Sequence, residues 1–157
     1  MDANLVNPFI EATISTLETT AQVQVKALKP YLKKAKAATG EITGVMEMSG
    51  DFSGSISISF TEKGILAIVS TMFGEEMTEL NDEIKDAVGE IANMISGQVT
   101  NKLAEMGNTL KVSLARVEMG AGHDLAHLEK KPVIALPFKT ADGKFTIEIC
   151  FERWEVT

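Results

Sequence analysis

Cysteine is almost absent from this chain: Cys150 is the only one among 157 residues. A single cysteine excludes an intrachain disulfide, and its position among alternating strand residues indicates a structural thiol rather than a nucleophile. The sequence also lacks a basic-plus-apolar leader and any apolar run near the roughly 18 residues that a membrane span needs. We therefore expect a cytoplasmic protein with no membrane partner.

Positive charge is scarce as well. The 15 lysines and arginines are outnumbered by 22 acidic residues, and a net charge of −7 argues against nucleic acid as a partner of the domain. The exception is a local basic run, formed by Lys26, Lys29, Lys33, Lys34 and Lys36. Such a run favours a solvated loop, with an acidic protein partner as the alternative interpretation.

Motifs that carry their own chemistry are missing too. The sequence has no phosphate-binding glycine loop, no nucleophile elbow and no paired-cysteine metal motif. His123 and His127 are spaced i, i+4, with Asp124 and Glu129 nearby, and this spacing is compatible with a divalent ion. Because the segment lacks a clear helical frame, a polar loop is the favoured interpretation, and we expect no metal site.

The patterns that are present predict secondary structure. We expect one domain over residues 1–157, long enough to bury a core. Helices are predicted from the N-cap Asn7 (with Pro8 in the first helical position), from Thr61 and from Asn81. Strands are predicted over 42–48, 55–60, 110–114, 133–139 and 145–151, and residues 22–40 are expected to form a connection with at most one short strand. This order predicts an α+β fold, with a largely antiparallel sheet packed against helices that include one long central helix.

The long helix is predicted to run from its cap at Asn81 to about Gly107. Negative charge at Asp82 and Glu83 suits the positive end of the helix dipole. Apolar residues recur at a helical spacing that requires them to face a core. They are Ile84, Val88, Ile91, Ile95, Val99, Leu103 and Met106.

The opposite side of this helix is polar. At 100° per residue, Asp86, Glu90, Asn93 and Gly97 lie along one stripe, and Gly89 is close to it. Spacing alone favours a solvated face whose glycines serve packing. The alternative is a docking surface, on which missing side chains let a partner approach the helix backbone.

A family resemblance bears on this choice. The segment from Asp86 to Asn93 resembles the D/S-x3-E-x2-N signature of the CheC–CheX family of chemotaxis phosphatases, and a single copy is typical of CheX. Three further segments are similar to that family in the same order: residues 7–10, 54–60 and 72–76. One departure is Ala115, because the family often has a proline after the Ser-Leu of this strand.

The resemblance implies a phosphatase that acts on the aspartyl phosphate of a CheY-type response regulator in chemotaxis. Asn93 would position the attacking water, Glu90 would pair with a lysine of the receiver, and Asp86 would help to hold either Glu90 or the partner. Gly97 is expected to contact the partner because of its place on the same helix face. It also implies a homodimer, and a reaction whose Mg²⁺ belongs to the receiver, so that the chain needs no cofactor of its own.

Two alternatives remain open at the sequence level. One is a non-catalytic module of the same fold that binds a receiver or a flagellar-switch component. The missing proline at Ala115 is the reason to retain this alternative. The other is a ligand- or metal-sensing domain that uses the loop around His123 and His127.

Overall fold

The structure, a computed structural model, describes residues 3–33, 40–120 and 133–154. Its helices are α1 (Ala3–Ala21), α2 (Glu62–Phe73) and α3 (Asp82–Glu105). Its strands are β1 (Lys26–Ala27), β2 (Tyr31–Lys33), β3 (Ile42–Gly50), β4 (Phe52–Phe60), β5 (Leu110–Met119), β6 (Val133–Lys139) and β7 (Lys144–Trp154). None of the helices in these ranges is long and apolar enough to span a membrane.

The strands form one antiparallel sheet in the order β1-β6-β7-β4-β3-β5, with β2 also paired to β6. Two hairpins, β3–β4 and β6–β7, meet where β4 pairs with β7. A hydrophobic core joins the helices to one face of the sheet, where Ile58 and Phe60 of β4 and Ile147 of β7 are almost completely buried. The predicted α+β class is confirmed.

Helix α3 forms as its sequence predicts. The side chain of Asn81 accepts a hydrogen bond from the Ile84 N–H at 3.0 Å, which caps the first turn. The predicted apolar stripe from Ile84 to Leu103 is buried. Met106 is the exception, because the helix ends at Glu105 and Met106 lies beyond its last turn with an exposed side chain.

The N-terminal region differs from the prediction. Helix α1 begins at Ala3 rather than at a cap on Asn7, so Pro8 lies inside the helix. A proline this early removes one hydrogen bond, to the Asn4 carbonyl, and burial of the helix face that carries Phe9 and Ala12 offsets the loss. The following connection holds two short strands, β1 and β2, because both pair with β6.

The β6–β7 turn also corrects a prediction. The sequence Ala141-Asp142-Gly143 predicts a hairpin turn in which the glycine has a positive φ, but Gly143 is not among the positive-φ glycines of the described chain. A Cβ on Gly143 would instead lie 2.7 Å from both the Gly64 Cα and the Thr61 Oγ1. Glycine is therefore needed because the turn packs directly against the start of α2.

The sheet face opposite the helices buries polar groups. Ser55, Ser57 and Ser59 alternate with the apolar residues of β4, yet they are buried as well. Glu148 on β7 is fully buried, and both of its carboxylate oxygens accept hydrogen bonds from the Lys33 Nζ. The solvated-loop interpretation is thus wrong for Lys33, whose side chain is 6% exposed.

The Lys33–Glu148 pair should make stability depend on pH. Burial raises the pKa of the Glu148 carboxyl above its usual range, and the hydrogen bond and charge of Lys33 lower it in part. Because the folded pKa is the higher one, protonation of this group stabilises the fold. That contribution is fully present below the ordinary pKa of 4.5 and is lost as the pH rises through the folded value.

We predict that Lys33→Met lowers the free energy of unfolding by about 3–5 kcal/mol at neutral pH, because it leaves the Glu148 carboxylate buried without its counter-charge. The loss should shrink as the pH falls toward the ordinary pKa of 4.5. Urea denaturation over this pH range measures both effects. Lys29→Met, which changes an exposed lysine of the same basic run, is the matched control and should shift stability by about 0.5 kcal/mol or less. Equal losses in the two variants would contradict the prediction.

Candidate functional site

The solvent-facing side of α3 carries the residues that the sequence singles out. Asp86, Glu90, Asn93 and Gly97 are all exposed, and the helix is continuous through them. The structure therefore brings the four residues together on one surface, which we call the α3 stripe. Met94, the residue that follows Asn93, is half-buried beside α1, with its Sδ 3.8 Å from the Thr20 Oγ1.

The backbone beneath the α3 stripe is held closely against the sheet. A Cβ on Gly44 of β3 would lie 3.3 Å from the Val88 Cγ1 and 3.6 Å from the Ala92 Cβ, so glycine allows this close approach. One turn further on, the Ser96 hydroxyl lies 2.7 Å from the Ala92 carbonyl oxygen and 2.8 Å from the Met46 Sδ. Glu90 and Asn93 thus project from a helix segment whose buried side packs against strand β3.

The two glycines near the α3 stripe have different surroundings. Gly89 is buried, and a Cβ there would lie 3.1 Å from the Leu114 Cδ2 of β5. Gly97 is exposed, and a Cβ there would meet nothing within 4 Å. Packing therefore explains Gly89, whereas no packing constraint on the described chain requires glycine at Gly97.

Strand β5 carries an irregularity next to this helix. Val45 of β3 pairs with Arg116 and Met46 pairs with Leu114, so Ala115 is the extra residue of a β-bulge. Edge strands and bulges are the places where a sheet tolerates proline. The irregular backbone that would accommodate the family's proline is therefore present here with alanine.

A shallow groove of about 350 Å³ lies between α3 and the start of β5. The helix contributes Asn93, Gly97, Thr100 and Asn101 to its wall, and residues 110–112 form the other side. Thr100 and Asn101 were not among the predicted site residues, although both follow Asn93 at spacings that return to this side of the helix. The groove extends the α3 stripe toward the C-terminal end of the helix.

The chemistry of the α3 stripe is that of two carboxylates and one amide. A carboxylate accepts hydrogen bonds from a cationic partner, and an amide can donate and accept at once.

Cys150 is buried elsewhere, in a small cluster with Val45 and Val133. Within the described ranges no group of three or more His, Cys, Asp or Glu side chains is arranged to hold a metal, and His123 and His127 lie outside them.

Residues 42–139 match the family described as "Chemotaxis phosphatase CheX", and the chain belongs to that family.

Relatives cover almost the whole chain. The crystal structure of the chemotaxis protein CheX from Desulfovibrio desulfuricans is 43% identical, with a TM-score of 0.86 over 94% of this chain and 99% of that one. The CheY-P phosphatase CheX of Thermotoga maritima is 28% identical over 138 residues, which are 87% of this chain and 88% of the relative. A complex of CheX, CheY, BeF3 and Mg²⁺ from Borrelia burgdorferi shares the fold at 21% identity, with a TM-score of 0.76 over 94% and 97% of the two chains.

The contrast between the two glycines can be tested by stability alone. We predict that Gly97→Ala raises the free energy of unfolding by about 1 kcal/mol, because alanine is the better helix former and its Cβ enters open space. Gly89→Ala should gain less or lose stability, since its Cβ must displace the Leu114 side chain. Chemical denaturation of the two variants measures this difference, and a destabilised Gly97→Ala variant would contradict it.

Proposed function

We propose that this protein hydrolyses the aspartyl phosphate of a CheY-type response-regulator receiver. The proposal rests on one observation above the others: Glu90 and Asn93 are exposed one turn apart on a helix segment that the sheet holds in place. The CheX family and the CheY-P phosphatase of Thermotoga maritima support this choice of substrate.

In the proposed mechanism the receiver brings the phosphoryl group and its Mg²⁺, so this chain needs no cofactor of its own. The remaining requirement is a water held in line with the phosphorus. The Asn93 amide can hold it, because its NH₂ donates, its C=O accepts and neither group must transfer a proton. Catalysis then consists of positioning, and the fixed backbone beneath Asn93 reduces the freedom lost on binding.

Glu90 has a different role in this proposal. Its exposed carboxylate pairs with the lysine of the receiver active site and sets the docking register. Gly97 lets the partner backbone come close to α3, and the open space around it is the supporting observation. Asp86 contributes negative charge at the rim of the interface.

The bulge at Ala115 favours a phosphatase over a non-catalytic receiver-binding or flagellar-switch-binding module. The missing proline was the reason to consider such a module. Because β5 has a bulge at this position and Leu114 still packs on Gly89, the strand beside the α3 stripe keeps an irregular backbone without the proline.

Separate substitutions distinguish the two proposed roles. Asn93→Ala should lower kcat with little change in KM, because the water contact strengthens in the transition state. Glu90→Ala should raise KM and weaken its salt dependence, because a charged contact steers association. Asn93→Asp should be as inactive as alanine, since it loses the donor and brings negative charge toward the phosphoryl group. Stopped-flow decay of the phosphorylated receiver measures all three variants.

Gln98→Ala is the matched control, because it removes an amide from the same helix but off the α3 stripe. It should leave both kinetic constants unchanged. Wild-type turnover in Asn93→Ala, with receiver binding intact, would refute the water-positioning role and favour the non-catalytic binding module.

We also propose that the protein is a homodimer whose subunits meet at sheet edges. β5 pairs only with β3 among the described strands, which leaves its outer edge, ten residues long, available to another strand. Sedimentation velocity should show a dimer at tens of micromolar, roughly the range expected for an interface of ordinary affinity. A concentration-independent monomer would refute the proposal.

A further inference from the structure

Three lysines form a row across the sheet, at the end that carries the β6–β7 turn. Lys26 of β1 is the register partner of Lys139 on β6, and Lys139 is the partner of Lys144 on β7. Directly opposed residues on an antiparallel pair project from the same face with Cβ atoms about 4.5–5.5 Å apart. All three lysines are exposed, and we call them the lysine row.

The lysine row carries concentrated charge. None of its members forms an ion pair within the described chain, although Asp142 lies close by in the β6–β7 turn. Like charges directly opposite each other on a sheet destabilise it. The cluster is also unexpected in a chain of net charge −7. An anionic partner at this place would therefore match the charge of the cluster.

Two members of the lysine row, Lys26 and Lys139, line a groove of about 580 Å³. One wall is the segment after α1, with Gln22, Gln24 and Lys26, and the other is residues 139–142. Gln22 has a φ of 54°, a left-handed conformation that is uncommon for a residue with a side chain. This conformation turns the chain out of α1, so that residues 22–26 can form the wall.

We propose that the lysine row and this groove bind an extended acidic segment of a protein partner. The lysines match its carboxylates, while Val23 and Val25 in the wall contact the apolar parts of its chain. A concave groove admits a single extended segment, whereas a flat lipid surface contacts only its rims. β1 and β6 lie at the opposite edge of the sheet from β5, so this surface is separate from the α3 stripe.

Fluorescence anisotropy with a labelled Asp/Glu-rich peptide tests the proposal on the full chain. We expect saturable binding that weakens with salt and is absent for a matched Asn/Gln-rich peptide. Lys139→Glu and Lys144→Glu should each weaken binding about tenfold, because a reversed charge repels the peptide. Each variant should retain the wild-type melting temperature or exceed it, since the substitution removes a like-charge contact.

Lys111→Glu supplies the control, because it makes the same change of net charge at an exposed lysine on the opposite sheet edge. It should leave peptide affinity within about twofold of wild type. Equal losses in Lys111→Glu and Lys139→Glu would overturn the proposal, because binding would then follow net charge rather than this site. Binding of anionic phosphatidylglycerol vesicles through the lysine row, without peptide binding, would overturn it as well.

Discussion

The structure depends on the contacts that the underside of α3 makes with α1 and with strands β3 and β5 at one edge of the sheet. Ten residues of the helix are buried there, and each large apolar side chain among them contributes about 1.5–3 kcal/mol. Gly44 allows Val88 and Ala92 to approach β3 closely, and this approach determines which side of α3 faces solvent. Exposure of Glu90 and Asn93 is therefore a consequence of core packing.

The two faces of the sheet stabilise the fold in different ways. On the helix side, apolar residues of β4 and β7 meet the helices. On the other side, Lys33 of the short strand β2 reaches over β6 to Glu148 of β7, so an ion pair ties the edge of the sheet to its interior. An ion pair of this kind adds little net stability when it is intact, but the loss of one partner is costly because the other charge stays buried.

Charge is distributed unevenly over this acidic chain. Asp86 and Glu90 lie on the α3 stripe beside β5, whereas the lysine row lies across β1, β6 and β7. The two surfaces have opposite sign and belong to opposite edges of one sheet. Under the two proposals above, a cationic active-site rim and an acidic segment would be recognised at different places without competing.

Sequence alone determined the elements whose cause is local. The Asn81 and Thr61 caps, the buried stripe of α3 and the polar stripe opposite it follow from side chains within a few turns of each other, and the structure confirms them. Only tertiary structure decided what depends on distant residues. The Leu114 side chain restricts the space beside Gly89 but not beside Gly97. The ion pair with Glu148 buries the Lys33 side chain. Ala115 becomes a bulge through the pairing of β5 with β3. The register of that pairing joins residues far apart in the chain, so the sequence of β5 alone does not predict it.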